Sequence, residues 1–166
     1  MIDSFTVQHC EHVSQRAFGD VVGAFEAELG SVEDPAIIPR EVAAAAGRAE
    51  FEARIRAYEG RSGFMRFLTN DHGGWMSRIG VKARIRSYII GNPLIAQTMI
   101  THDPGVGLNV PIRVLIYQTA SGEVRLAYDL PSSLMSRINN DEVTAAAIKL
   151  DAKLRSLAVL ATGAAA

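Results

Sequence analysis

A single α+β domain is the fold this sequence predicts, with roughly five strands in an antiparallel or mixed sheet packed by an N-terminal and a C-terminal helix. Three observations carry that reading. Ile112, Val114 and Ile116 alternate with other residues, and after Thr119-Ala120-Ser121-Gly122 the alternation resumes at Val124, Leu126 and Tyr128, the pattern of a hairpin. Near the C-terminus, Val143, Ala147, Leu150, Leu154, Leu157 and Ala161 recur at spacings of four and three, the stripe of a core-facing helix. Between the two ends, strands and helices mix without regular βαβ alternation.

The elements follow in order. Phe5 to His9 alternates as a short first strand. Ser14 stands where an N-cap belongs, and Phe18, Val21, Val22, Phe25 and Leu29 make the stripe of a first helix that Gly30 would end. Gly19 and Gly23 lie inside that helix, which predicts a close approach of its backbone to a neighbour. Residues 31–60 read as a helical insertion. Pro35 and Pro39 break the chain, an alanine-rich helix starts near Pro39, and Phe51, Ile55 and Tyr58 mark a second helix. Strands are expected at 63–70 and 83–90, with one or two helical turns from Trp75 to Ile79 between them. Pro93 opens a short helix that His102-Asp103-Pro104 ends, and Pro111 begins a strand. A helical turn is expected over 132–137, and Asn139 with Glu142 reads as a capping box for the last helix. Residues 1–160 are expected to form one domain, with 161–166 a fraying tail.

With 166 residues, 48% hydrophobic and 21% charged, the chain can bury a substantial core without cross-links. A net charge of -1 gives no support for nucleic-acid binding. Lys82, Arg84 and Arg86 form the densest basic run and share one strand face, read as solvated. No apolar stretch is long enough to span a bilayer, residues 1–12 lack the pattern of a secretory leader, and Cys10 is the only cysteine. A cytoplasmic protein with no membrane partner is expected.

A family resemblance rests on Tyr88-Ile89-Ile90-Gly91-Asn92-Pro93, His102-Asp103-Pro104 with Gly107, Leu108 and Pro111, Arg113 to Tyr117, and Tyr128-Asp129 with Pro131. With Asp71-His72 ahead of the Gly-Asn-Pro strand, these segments resemble the prokaryotic family named domain of unknown function 302. The resemblance covers residues 3–30 and 63–160. It implies a compact α+β domain that pairs into homodimers, and it implies no reaction. Residues 31–60 depart from the shorter family pattern.

Several constellations could carry chemistry. Asp71 beside His72 could serve acid–base catalysis, or Asp71 caps the next turn while His72 packs near Trp75. Asn92 stands at a helix start, where free N–H groups can hold an anion, and it equally serves as the cap. His102 and Asp103 build a loop that could border a cleft, and Tyr128 could turn its hydroxyl into it. The expected function is a small-molecule or partner binding module acting as a homodimer. Its ligand is expected to be small and anionic, held by Asn92, His102, Asp103 and Tyr128, with His72 near. Two alternatives stand beside it. One is an acid–base enzyme using Asp71 and His72. The other is a metal or haem carrier using His9, Cys10 and His12, although His9 and Cys10 would point to opposite faces of a strand. No nucleotide-binding glycine motif or serine-hydrolase elbow is present.

Overall fold

The computed structural model describes residues 2–164. Its strands are β1 (His9–Ser14), β2 (Gly30–Ser31), β3 (Met65–Asp71), β4 (Ile85–Gly91), β5 (Ile112–Gln118) and β6 (Val124–Asp129). Its helices are α1 (Phe18–Glu26), α2 (Ile37–Ala44), α3 (Arg48–Arg56), α4 (His72–Met76), α5 (Pro93–Ile100), α6 (Pro131–Met135) and α7 (Asp141–Thr162). The strands form one mixed sheet in the order β1-β6-β5-β4-β3-β2, antiparallel throughout except for the β2–β3 pair. The α+β expectation holds. The strand beyond the five anticipated is β2, whose two residues carry no periodic signal.

One face of the sheet is covered by helices. Ile112, Val114 and Ile116 of β5 and Val124, Leu126 and Tyr128 of β6 are all buried, as the alternation requires. Above them lie α1, α5 and α7, and Phe25, Met99, Leu150 and Leu154 complete the main core. Every residue of the predicted α7 stripe is buried. At 22 residues the helix is ~33 Å long, enough to cross the whole sheet. Glu26 fixes the end of α1 to the sheet by accepting from the Tyr88 hydroxyl at 2.8 Å, with Arg86 at 3.3 Å and Arg66 at 3.4 Å on the same oxygen. Arg86 is therefore engaged under α1 and is not part of a solvated basic face.

Local boundaries differ where pairing overrides pattern. The first strand is His9–Ser14, not 5–9, because the ladder with β6 runs from His9 opposite Asp129 to Ser14 opposite Val124. Ser14 therefore caps no helix. Its hydroxyl donates to Thr162 O at 2.6 Å and ties β1 to the end of α7. The cap of α7 is Asn140, which accepts from Val143 N at 2.9 Å, while Asn139 takes a left-handed conformation at φ 53°. Residues 161 and 162 are helical and buried, and Gly163 ends the helix at φ 66°. Of the expected fraying tail, residues 165 and 166 lie outside the described residues.

Gly19 and Gly23 meet nothing within 4 Å, so α1 makes no close approach there. The tight contact is at Gly30, which is a strand residue and not a helix cap. A Cβ there would lie 1.7 Å from Tyr58 O, and one on Gly60 would lie 2.3 Å from Glu28 O. Two chain segments thus cross backbone to backbone, and both Gly30 N and Gly60 N donate to Phe64 O at 3.0 Å.

Between the crossing segments, residues 31–60 do form two helices, α2 and α3. They enclose a second core of Val32, Ile55, Met65 and Leu94, joined by Phe51, Tyr58 and Phe67. Glu41 is buried against it and accepts from the Tyr58 hydroxyl at 2.9 Å and from Arg54 at 3.1 Å. Those donors hold its carboxyl below the usual carboxylate range. A lowered folded-state value stabilises above the unfolded pKa and is lost as pH falls through the folded one. Acid is therefore expected to loosen α2 and α3 before the main sheet. Amide exchange corrected for intrinsic rates, compared at about pH 3 and about pH 7, reads this directly.

Candidate functional site: an apolar cleft at the start of α5

β4 ends at Gly91, the chain turns at Asn92, and Pro93 begins α5 with its fixed φ and missing N–H. Asn92 is 6% exposed, and its amide has little left to offer a ligand. Its Oδ1 accepts from Leu94 N at 2.8 Å, capping the helix. Its Nδ2 donates to Glu59 Oε1 at 2.8 Å and to Gly63 O at 2.9 Å, binding α5 to the segment after α3. Both N–H donors are used, so Asn92 is a structural joint.

That joint holds open a cleft of about 170 Å³ between α5, the starts of β3 and β5, and α7. Its walls are Ile95, Ala96, Met99 and Ile100 of α5, Phe64 and Phe67 on the β3 side, and Val110, Pro111 and Ile112 opposite, with Leu150 contributed by α7. Gly91 allows this closeness: a Cβ there would lie 3.1 Å from the Pro111 side chain and 3.4 Å from Phe67. Asn92 is the lone polar side chain among the lining residues, and its polar atoms are committed elsewhere. The lining contains no nucleophile and no acid or base. Such a site can desolvate and hold a hydrocarbon or aromatic group, and it offers nothing to move a proton.

The residues singled out from the sequence do not converge on this cleft, Asn92 excepted. Asp71 closes the turn into α4 by accepting from Gly74 N at 2.9 Å, with Arg86 at 3.3 Å, and these partners hold it below its ordinary value. His72 bonds instead to Ser87 Oγ at 2.9 Å and accepts from the Trp75 indole at 3.3 Å, which makes Nε2 the protonated nitrogen. Asp71 and His72 thus have separate partners and form no dyad. His102 is exposed beyond the end of α5. Asp103 accepts from Gly105 N at 2.6 Å and caps a 3₁₀ turn, Pro104–Leu108.

Tyr128 is buried in the sheet face beneath the helices, 3.2 Å from His12 Nε2 with the two rings stacked. Burial pushes its hydroxyl up to about 12. Between Tyr128 on β6 and His72 at the end of β3 lie two further strands, a separation of at least ~14 Å. An anion held jointly by Asn92, His72, His102 and Tyr128 has no cavity to occupy. Asn92, Asp71, His72 and Tyr128 each bond to the backbone or to a neighbour where they stand, and His102 faces solvent.

Cys10 and His12 share the helix-side face of β1, whereas His9 pairs with Asp129 at 2.8 Å. Burial raises the Cys10 thiol and lowers the His12 imidazole, which keeps both neutral. Among the described residues no three metal-capable side chains come together. The residues missed by the sequence reading are the apolar ones that make the cleft, chiefly Phe64, Ala96, Met99 and Leu150. The available signal was Ala96, a small side chain on the inner side of a helix otherwise rich in large ones.

Sheet, helices and cleft together define an α+β domain with a preformed apolar site at a strand-to-helix turn. The chain belongs to the family Domain of unknown function DUF302, whose model matches residues 40–159. That match takes in α3 and most of α2, so the helical segment lies largely within the matched region, while β1 and α1 precede it. A solved structure described as an uncharacterized conserved protein DUF302 from Bacillus stearothermophilus superposes with a TM-score of 0.63 at 12% identity, covering 90% of this chain and 94% of that one. At that identity the likeness is one of fold. No curated protein matches the chain. Among the described residues no helix is long and apolar enough to cross a membrane.

Proposed function

We propose that the protein is a non-catalytic binding module that takes an apolar group of a small molecule into the cleft beside α5. The observation that carries this reading is a ligand-sized cavity lined by hydrocarbon and placed at the Gly91-Asn92-Pro93 turn. An apolar cavity of about 150 Å³ stays dry and accepts benzene or xenon, so this one suits a ring or a short chain end. Roughly five to seven buried carbons at ~0.8 kcal/mol each give a Kd of about 0.1–1 mM for a bare alcohol. A natural ligand would bind more tightly by adding contacts at the mouth.

The test is titration with 1-hexanol followed by NMR. The methyl groups of Met99, Ile95 and Leu150 are expected to shift together. Ala96→Phe, which fills the cleft from α5, is expected to abolish binding while leaving the fold intact. Shifts spread over the surface, or unchanged binding by Ala96→Phe, would refute the reading.

The module is proposed to act as a homodimer through the uncovered sheet face. There Leu68, Ile89, Ile85 and Leu115 fall in neighbouring rows of β3, β4 and β5, and Leu68 is 47% exposed. An outward sheet face is ordinarily polar. The same patch on a second copy would bury it isologously. Leu115→Lys should then yield a monomer by analytical ultracentrifugation, and a wild-type chain that is already monomeric would end the idea. The single cysteine, Cys10, suits a reducing compartment such as the cytoplasm.

A further inference from the structure

We infer that the segment joining β3 to β4, residues 72–84, docks the protein on an anionic lipid surface. Three large apolar side chains are exposed there: Trp75, Ile79 and Val81 are 56%, 67% and 41% exposed, with Trp75 held at one edge by His72. Trp75 lies in α4 and Ile79 ends the 3₁₀ turn, Ser77–Ile79, that follows it directly. Gly80, at φ 80°, then turns the chain back, and Val81 N donates to Met76 O at 3.1 Å. The Ser77 hydroxyl adds a bond to Gly74 O at 2.6 Å. The apolar side chains are thus presented by a compact, internally bonded knuckle.

The segment itself carries charge of one sign. No Asp or Glu occurs from His72 to His102. Arg78, Lys82 and Arg84 are exposed, and none of them forms an ion pair among the described residues. The nearby acids each meet an arginine, Asp71 with Arg86 at 3.3 Å and Glu123 with Arg125 at 2.6 Å, although Arg86 is shared with Glu26 and Arg125 with Glu11. A tryptophan and two aliphatic side chains in one short segment with three cations that form no ion pair match the headgroup and acyl boundary of an anionic membrane. A second copy pairing knuckle to knuckle would set these cations against each other. A single-stranded nucleic acid would need a series of aromatic platforms, and the knuckle carries one aromatic ring besides His72.

The chain contains one tryptophan, so its fluorescence reports on the knuckle alone. The full chain is mixed with vesicles of phosphatidylcholine, and separately with vesicles of equimolar phosphatidylcholine and phosphatidylglycerol. The emission of Trp75 is expected to shift to the blue with the anionic vesicles and to be quenched by brominated acyl chains, with co-sedimentation in parallel. The triple variant Arg78→Ser, Lys82→Ser, Arg84→Ser should lose on the order of a hundredfold in vesicle affinity, about fivefold per cation. Ile79→Ser should weaken sedimentation while leaving the far-ultraviolet circular dichroism unchanged.

Three outcomes would overturn the proposal. One is no shift and no sedimentation with anionic vesicles. Another is a blue shift that grows with protein concentration in the absence of lipid, which would assign the knuckle to a second copy. The third is a response to single-stranded DNA that lipid fails to reproduce. The Ala96→Phe variant is expected to bind vesicles like the wild type, so failure of the cleft reading and failure of this one are separable.

Discussion

Asn92→Ala is expected to destabilise the protein by about 3 kcal/mol, of which about 1 kcal/mol is the lost cap and the rest the donors withdrawn from Glu59 and Gly63. The amide is 6% exposed, so water reaches the abandoned acceptors poorly. The loss from the Glu59 side is the larger because a charged acceptor is left without its 2.8 Å donor. In a domain of this size, thermal unfolding should fall by roughly 6–12 °C. The functional consequence is more specific. Asn92 is the joint that holds α5 against the segment after α3, so the cleft wall should relax and ligand shifts at Met99 should broaden or vanish. Asn92→Asp keeps the cap to Leu94 N and loses both donations, so it separates the two roles. It should retain helix α5 and still lose the joint, because the introduced carboxylate is brought against Glu59. Equal stability of the alanine variant and the wild type, by denaturant unfolding, would contradict this role for the Gly91-Asn92-Pro93 turn.

Gly30→Ala is expected to cost at least about 4 kcal/mol, among the largest effects of any single methyl in the chain. The added Cβ would lie 1.7 Å from Tyr58 O, and that neighbour is backbone held in place by the crossing at Gly60. Relief requires the two segments to separate, which breaks the donations of Gly30 N and Gly60 N to Phe64 O. The short strand β2 and the core of Val32, Ile55, Met65 and Leu94 should open first, while the β4–β5–β6 sheet remains protected. Amide exchange mapped along the chain distinguishes this from global loss. Gly23→Ala, placed in a helix with nothing within 4 Å, is the control and should not destabilise. A Gly30→Ala variant as stable as wild type would mean that the crossing is looser than described.

The contrast between these glycines shows what a sequence can and cannot display. Gly19 and Gly23 stood out because their spacing looks like a packing motif, yet the face they occupy is open. Gly30 resembled a helix terminator, and its real constraint comes from Tyr58 and Gly60, close in space and ~30 residues away in the chain. Where the signal is local, the reading held: the β5–β6 alternation, the α7 stripe, Asn92 before Pro93, and the helices within residues 31–60. Strand β1 was displaced because an edge strand with polar residues on both faces takes its register from β6 and not from its own pattern.

The site was less legible for a physical reason. Polar residues such as Asp71, His72, His102 and Tyr128 attract notice in a sequence because their chemistry is visible one residue at a time. Each proves to be satisfied locally, through Gly74, Ser87, solvent or His12. The cleft instead arises from small and large apolar side chains on elements far apart in the chain, Phe64, Ala96, Pro111 and Leu150. No one of them differs from an ordinary core residue. Its existence depends on volumes that fail to fill a space, which only the assembled fold reveals.

A crystal structure of the protein under xenon pressure decides whether the cleft is a preformed apolar site. A xenon atom is expected there, in contact with Phe64, Met99 and Leu150, with Asn92 still bonded to Glu59 and Gly63. A cleft closed by inward movement of Ile95 or Met99, with no xenon bound, would mean that the protein holds no such site.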